Sequence, residues 1–291
     1  MAQPFTGTRY GVHVPNMWEY GDPRVIAELA ELAEQCGWDG FFVWDHVLFD
    51  LSDPPDVCDP WVALAAAASL TRRILLGTLV TPVPRRRPWK LAREVASLDV
   101  LSHGRAVLGA GLGAPSDAEF EAYGEDADPI VRRGKLDEGL ELLRLFWSGE
   151  PVQFAGEHFA VSDVTFRPTP VQRHLPIWVG GNWPNKRPFR RAARMDGVMP
   201  EHVRGGSVTP AELGEVVAFI AAERQRHPID GELPYDVLTG GETPVRDPRA
   251  ARAIVEPYVE AGATWWIERF HGDRGPLPLT RERLRAGPPR G

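Results

Sequence analysis

Apolar and polar positions fall into blocks along this chain. Residues 9–14 form a short apolar run, and 22–37 then place Val25, Ile26, Leu29, Leu32 and Ala33 at helical spacing before closing on Gly37. Such a block predicts a strand followed by a helix with a glycine at its C-terminal cap. Residues 40–44 (GFFVW) are continuously apolar, as in a strand covered on both faces, and the run stops abruptly at Asp45 and His46.

The block repeats. Further strands are predicted at 74–79, 105–110, 176–179, 197–199, 235–238 and 264–267, and helices at 60–70, 89–101, 131–147, 186–194, 210–226 and 247–261. Alternation of strand and helix predicts an α/β fold with a parallel sheet, and eight such units predict closure into a (β/α)8 TIM barrel. The stretch 149–173 breaks the rhythm and reads as an insertion before strand five, with either a packing role as a lid or a direct contact to substrate. From Gly272 the chain is rich in Arg, Pro and Gly with little apolar periodicity. This predicts a C-terminal tail over 272–291 after a single barrel domain over 1–271.

At 291 residues the chain exceeds the usual domain of roughly 100 to 200, but one barrel takes about 250. Apolar residues at 43% and charged residues at 25% suit a sizeable buried core. A formal net charge of -7 offers no global attraction for nucleic acid or anionic lipid, which leaves a small molecule as the expected partner. The two cysteines, Cys36 and Cys58, are too few for a disulfide framework and lack metal-site spacing. Residues 1–8 show no basic then apolar leader, and no uncharged apolar run reaches the roughly 18 residues of a spanning helix. A cytoplasmic enzyme is expected.

Barrels of this kind carry their chemistry at the C-terminal ends of the strands. That rule selects His13 and Asn16, Asp45 and His46, 78–81, 109–113, 180–182, Glu201 and His202, and Glu268 with His271. Gly180 and Gly181 join a strand to a basic helix, so backbone N–H groups there can approach a phosphate with help from Lys186 and Arg187; an ordinary tight turn fits equally well. The run at Leu108 (LGAGLG) lacks the spacing of a dinucleotide fingerprint, and its glycines suit a flat ring laid against backbone. Arg85, Arg86 and Arg87 read either as contacts to an anionic cofactor tail or as a solvated loop.

Four runs carry a resemblance: GWDGFFVWDH from Gly37, LGTLVTP from Leu76, SHGRAVLGAG from Ser102 and IWVGG from Ile177. In this order, over most of residues 8–200, the chain resembles the luciferase-like flavin-dependent oxidoreductases, including the branch that uses the deazaflavin coenzyme F420. The resemblance implies a non-covalently bound F420, slightly favoured, or FMN. It implies a non-proline cis peptide at Thr78-Leu79 behind the ring, Gly180 and Gly181 beside the cofactor phosphate, and a homodimer, which apolar exterior helices also suit; the glycine run and the strand-end rule add Gly109, Ala110, Gly111 and Asn182 as expected cofactor contacts. Asp45 and His46 match the Asp-His pair of the deazaflavin branch. Two departures argue against sugar-phosphate oxidation: Asp50 where those dehydrogenases carry Trp, and Ala114 where they carry Glu.

His46 is the first candidate for acid/base or oxyanion-stabilising work, because imidazole changes charge near neutral pH, and Asp45 could orient it. The alternative is a loop cap in which His46 bonds only backbone. His13, Trp44 and His202 are placed on the substrate-pocket wall. Reduced-FMN monooxygenation is the main rival chemistry. A non-catalytic flavin-binding barrel and a metal-dependent hydrolase are the rival classes, the latter disfavoured because strand one has no His-x-His and no metal is expected.

Overall fold

A computed structural model describes residues 7–227, 234–270 and 276–290. Eight parallel strands close into a barrel: β1 (Arg9–Val14), β2 (Gly40–Val43), β3 (Leu75–Pro82), β4 (Ala106–Gly111), β7 (Ile177–Trp183), β8 (Gly197–His202), β9 (Asp236–Gly241) and β10 (Trp265–Arg269). The remaining two strands, β5 (Pro151–Ala155) and β6 (Ala160–Thr165), form a separate antiparallel hairpin. Helices α1 (Pro23–Gln35), α2 (Pro60–Leu70), α3 (Pro88–Leu101), α4 (Ser116–Glu119), α5 (Pro129–Ser148), α6 (Lys186–Ala192), α7 (Pro210–Arg226), α8 (Pro248–Glu260) and α9 (Leu277–Arg285) connect or follow them.

Helix starts follow a repeated local chemistry. Asp22, Asp59, Asp128 and Asp247 each precede a proline and accept a backbone N–H from the first turn of α1, α2, α5 and α8. Proline at the first helical position has no N–H to lose, and the aspartate satisfies an orphan donor worth about 1 kcal/mol per cap. Thr209 and Glu212 form a reciprocal capping box on α7.

Apolar side chains fill two layers. One lies between strands and helices; the other fills the barrel itself, where the rings of Phe42, Trp178 and Trp265 meet at centroid distances of 5.4 to 5.9 Å. Gly40 makes room for this plug, since a Cβ there would lie 2.6 Å from the Phe42 ring. At the lower end Asp236 accepts hydrogen bonds from Trp178 Nε1 at 3.2 Å and Trp265 Nε1 at 3.1 Å and pairs with Arg9, so the buried indoles keep partners.

Three expectations change. Strands three to eight run further toward the rim than the apolar pattern indicates, so Gly180, Gly181, Asn182, Glu201, His202 and Glu268 lie within strands. The stretch 149–173 holds the hairpin, which packs outside the barrel: Glu138 of α5 accepts the N–H groups of Glu157 at 2.7 Å and Phe159 at 2.9 Å, and Phe146 stacks on Phe166 at 4.4 Å. The segment expected as a tail contains α9, which packs on α1 and supplies the outer helix after β10. Its Arg283 is buried and pairs with the buried Glu268 of β10 at 3.2 Å, and Trp38 Nε1 donates to the Leu284 carbonyl at 3.1 Å. Among the described residues no helix is long and apolar enough to cross a membrane.

Candidate active site

A cavity of about 560 Å3 opens at the C-terminal ends of the barrel strands, a size that suits a cofactor or drug-sized ligand. Its floor includes Leu79, Val80 and Met199, one wall is His13, Trp44, His46 and Phe49, and its mouth carries Arg133, Arg187 and Arg191.

The floor is shaped by a fault in strand pairing. Pairing of β3 with β4 shifts register between Thr78 and Thr81, and the Leu79-Val80 peptide is cis, one residue beyond the expected Thr78-Leu79. The bulge raises Val80 between two glycines of neighbouring strands. A Cβ on Gly111 would lie 2.4 Å from Val80 Cγ2, and one on Gly180 would lie 3.2 Å from Val80 Cγ1. These glycines therefore make space for Val80 before they make space for any ligand. Of the residues singled out by the sequence for the cofactor, Leu79, Gly111, Gly180, Gly181 and Asn182 line the cavity. Thr78, Gly109 and Ala110 lie buried beneath it, with Thr78 Oγ1 bonded to Thr81 Oγ1 at 2.9 Å and donating to the Gly109 carbonyl at 3.3 Å.

The acidic partner of His46 is not Asp45. The Asp45 carboxylate is fully buried and accepts from Thr81 Oγ1, Arg85 and Arg86, each at 2.7 Å. His46 Nδ1 instead lies 3.1 Å from Oε1 of Glu119, on α4, a residue the sequence reading did not select. Burial, then the Arg85 guanidinium, lowers the His46 pKa to about 4, with Asp45 acting in the opposite sense. Asn16 fixes the backbone of His46: its Nδ2 donates to the His46 carbonyl at 2.9 Å and its Oδ1 accepts from the His46 N–H at 3.3 Å. Arg85 and Arg86, read as a cofactor contact or a solvated loop, are internal counter-ions of Asp45 and Glu119.

Aromatic rings enclose His46. Trp44 stands 5.5 Å and Phe49 5.0 Å from it, centroid to centroid, and His13 stands 5.9 Å from Trp44. Position 50, where the resemblance expects Trp, is an exposed Asp50 that caps Ser52. Phe49, one residue earlier and at φ 80, turns its ring into the cavity instead.

His202 leaves the group. It is absent from the cavity wall; its Nδ1 accepts the Arg204 N–H at 3.1 Å and its Nε2 lies 3.6 Å from Glu212. Its strand neighbour Glu201 does reach the cavity, paired with Arg269 at 3.1 Å. Lys186 stacks on Trp183 at 3.2 Å, whereas Arg187 faces the cavity mouth. Among the described residues Arg133 and Arg187 make no ion pair, and Arg191 is held by Asp137 at 3.0 Å. Asn182 and Asn185 stand beside them. His271 lies outside the described residues. No three His, Cys, Asp or Glu side chains converge as a metal-ligand set among the described residues.

Residues 5–286 match the model of the luciferase-like monooxygenase family, and the chain belongs to that family. An uncharacterized protein of Mycobacterium tuberculosis is 36% identical over 184 residues, a match that spans 58% of this chain and 64% of that protein. A protein of Beutenbergia cavernae named F420-dependent glucose-6-phosphate dehydrogenase is 31% identical over 265 residues, covering 89% of this chain and 71% of the relative. The crystal structure of monooxygenase RslO1 from Streptomyces bottropensis superposes with a TM-score of 0.79 at 21% identity, over 96% of this chain and 97% of that one.

Proposed function

We propose that this member of the luciferase-like family binds coenzyme F420 non-covalently and works by hydride transfer to or from a small alcohol or carbonyl substrate, with His46 as the acid/base group. The observation that carries this reading is the position of His46 on the wall of the cavity that Val80 also lines. Its ring stands on the cavity wall, and its lowered pKa keeps the imidazole neutral at physiological pH.

The residues present fit a flat, anionic cofactor. Leu79, Val80, Gly111 and Gly180 offer an apolar surface, and Arg133, Arg187, Asn182 and Asn185 offer donors for phosphate at the mouth. A bound deazaflavin supplies a ring carbon that takes or gives a hydride and does not activate oxygen. With an alcohol substrate, His46 takes the hydroxyl proton as the C–H bond gives up its hydride. In the reverse direction the same nitrogen returns the proton to the carbonyl oxygen. The rings of Trp44 and Phe49 stand against His46 and give an apolar substrate a wall to lie against. The name of the Beutenbergia relative, matched over most of this chain, supports F420 over FMN.

A titration with F420 and FMN, each oxidised and reduced and followed by fluorescence, tests this. Preference for F420 is expected. Preference for reduced FMN would move the reading to monooxygenation, and binding of neither would overturn it.

We also infer a homodimer formed through α2. This helix is apolar except for Ser69, and it turns Val62 and Leu70 to the outside at 58% and 46% exposure. A helix of that composition is normally buried on all sides.

A further inference from the structure

Glu119 is fully buried, yet it sits on a helix of four residues at the edge of the cavity roof. Five donors converge on its carboxylate. Oε1 receives the N–H groups of Val47 at 3.1 Å, Leu48 at 3.2 Å and Phe49 at 3.2 Å, together with His46 Nδ1 at 3.1 Å, while Oε2 pairs with Arg85. Three successive backbone N–H groups turned to one point form a nest for an anion. The left-handed Phe49 closes that nest and at the same time aims its own ring into the cavity.

This cage has a chemical consequence for the histidine. An ionised carboxylate only accepts hydrogen bonds, so Nδ1 must carry a proton to face it. Arg85 pairs with Glu119 and three backbone N–H groups stabilise it as an anion, while the Arg85 charge disfavours a second proton on the imidazole. Burial acts in the same direction. A neutral ring protonated at Nδ1 has its lone pair on Nε2. Nε2 has no protein partner among the described residues, and the ring lines the cavity.

We propose that Glu119 is the positioning residue that fixes His46 as the Nδ1-protonated tautomer, so that Nε2 is the basic nitrogen presented to the substrate. The catalytic consequence rests on His46 being the acid/base group of the proposed function; the tautomer itself depends on no cofactor. The carboxylate reaches the histidine from behind, five residues past Ala114, which itself lines the cavity roof.

Nitrogen-15 NMR of the full chain labelled at histidine, at pH 7.5 and without cofactor, reads the tautomer directly, with His46→Gln assigning the signals. The wild type should show a protonated Nδ1 and an unprotonated Nε2 at His46. Glu119→Gln should keep this pattern, because the nest demands an oxygen at that point and the amide supplies one. Glu119→Ala should release the ring to the Nε2-protonated form that free imidazole favours and lower kcat roughly 10²- to 10⁴-fold. The other histidine signals report whether that variant is folded; if it is not, the wild type and Glu119→Gln decide. An Nε2-protonated His46 in the wild type, or an unchanged tautomer in folded Glu119→Ala, would overturn the proposal. The expected tautomer in a protein that binds neither F420 nor FMN would leave it standing and overturn the proposed function instead.

Discussion

His46 and Glu119, 73 positions apart in sequence, meet with Nδ1 and Oε1 separated by 3.1 Å. The contact joins the loop after β2 to the short helix after β4, so the two segments flanking the β3 bulge are held by one carboxylate. Asp45, the immediate neighbour of His46, anchors the loop through Thr81, Arg85 and Arg86 and leaves the ring to Glu119.

Replacing His46 by Asn should lower kcat about 10²- to 10⁴-fold, the usual contribution of a positioned acid/base group. Cofactor affinity should change little. Single-turnover kinetics with a parallel binding titration separate the two; a loss confined to affinity would remove His46 from proton transfer.

The pH dependence has a definite sign. With a pKa near 4, His46 is neutral from pH 8 to about 5, so kcat/KM should show no histidine-like fall near 6.5 and should decline only as pH approaches 4. Stability follows the same shift. Between about 6.5 and 4 the unfolded chain takes up a proton that the folded chain refuses, so the contribution of His46 is present above about pH 6.5 and is lost as pH falls. Its upper size is about 3 kcal/mol. Urea melts of the wild type and His46→Gln at pH 7.5 and 4.5 should converge at the lower value.

Gly111→Ala should disturb the floor without touching a polar group. Its Cβ would lie 2.4 Å from Val80 Cγ2, so Val80 must move or the strands must part, at a cost of about 1–3 kcal/mol. A lowered melting temperature together with roughly tenfold or greater loss of cofactor affinity is expected. Wild-type affinity would show that the Val80 ridge is not the ring surface.

Arg187→Ala should weaken binding of phosphate-bearing FMN and F420 by roughly 10- to 100-fold, as expected for a hydrogen bond to a charged group. Riboflavin, which lacks the phosphate, should bind the variant and the wild type alike. Equal losses for FMN and riboflavin would move Arg187 away from the phosphate.

Val62→Glu paired with Leu70→Glu should halve the sedimenting mass if α2 forms the dimer contact, because burying two carboxylates without partners costs several kcal/mol. Unaltered mass in the double variant would place the contact elsewhere or leave the chain a monomer.

The barrel was legible because burial between strand and helix layers writes long apolar runs, and β2 and α1 are clear cases. Strand ends were less legible for the same physical reason. Where β7 and β8 rise above the helix layer they face the cavity, and Gly181, Asn182, Glu201 and His202 interrupt the apolar pattern while the pairing continues. Helix α9 escaped notice because its buried face carries Thr280 and Arg283, whose partners Tyr20 and Glu268 lie far away in sequence. His46 could be found from an Asp-His pair ending a strand. Glu119 could not, since four helical residues give no periodic signal and its donors are mostly backbone. Val80 fell within the selected 78–81, but the register shift that raises it into the floor left no mark on the apolar pattern.

The plug of Phe42, Trp178 and Trp265 beneath Leu79 and Met199 makes the cavity a blind well. Anything that occupies its depth must arrive before, and depart after, whatever lies nearer the rim. For two reactants sharing such a well, geometry alone would set an order of entry, the inner one passing Arg187 at the doorway ahead of the outer.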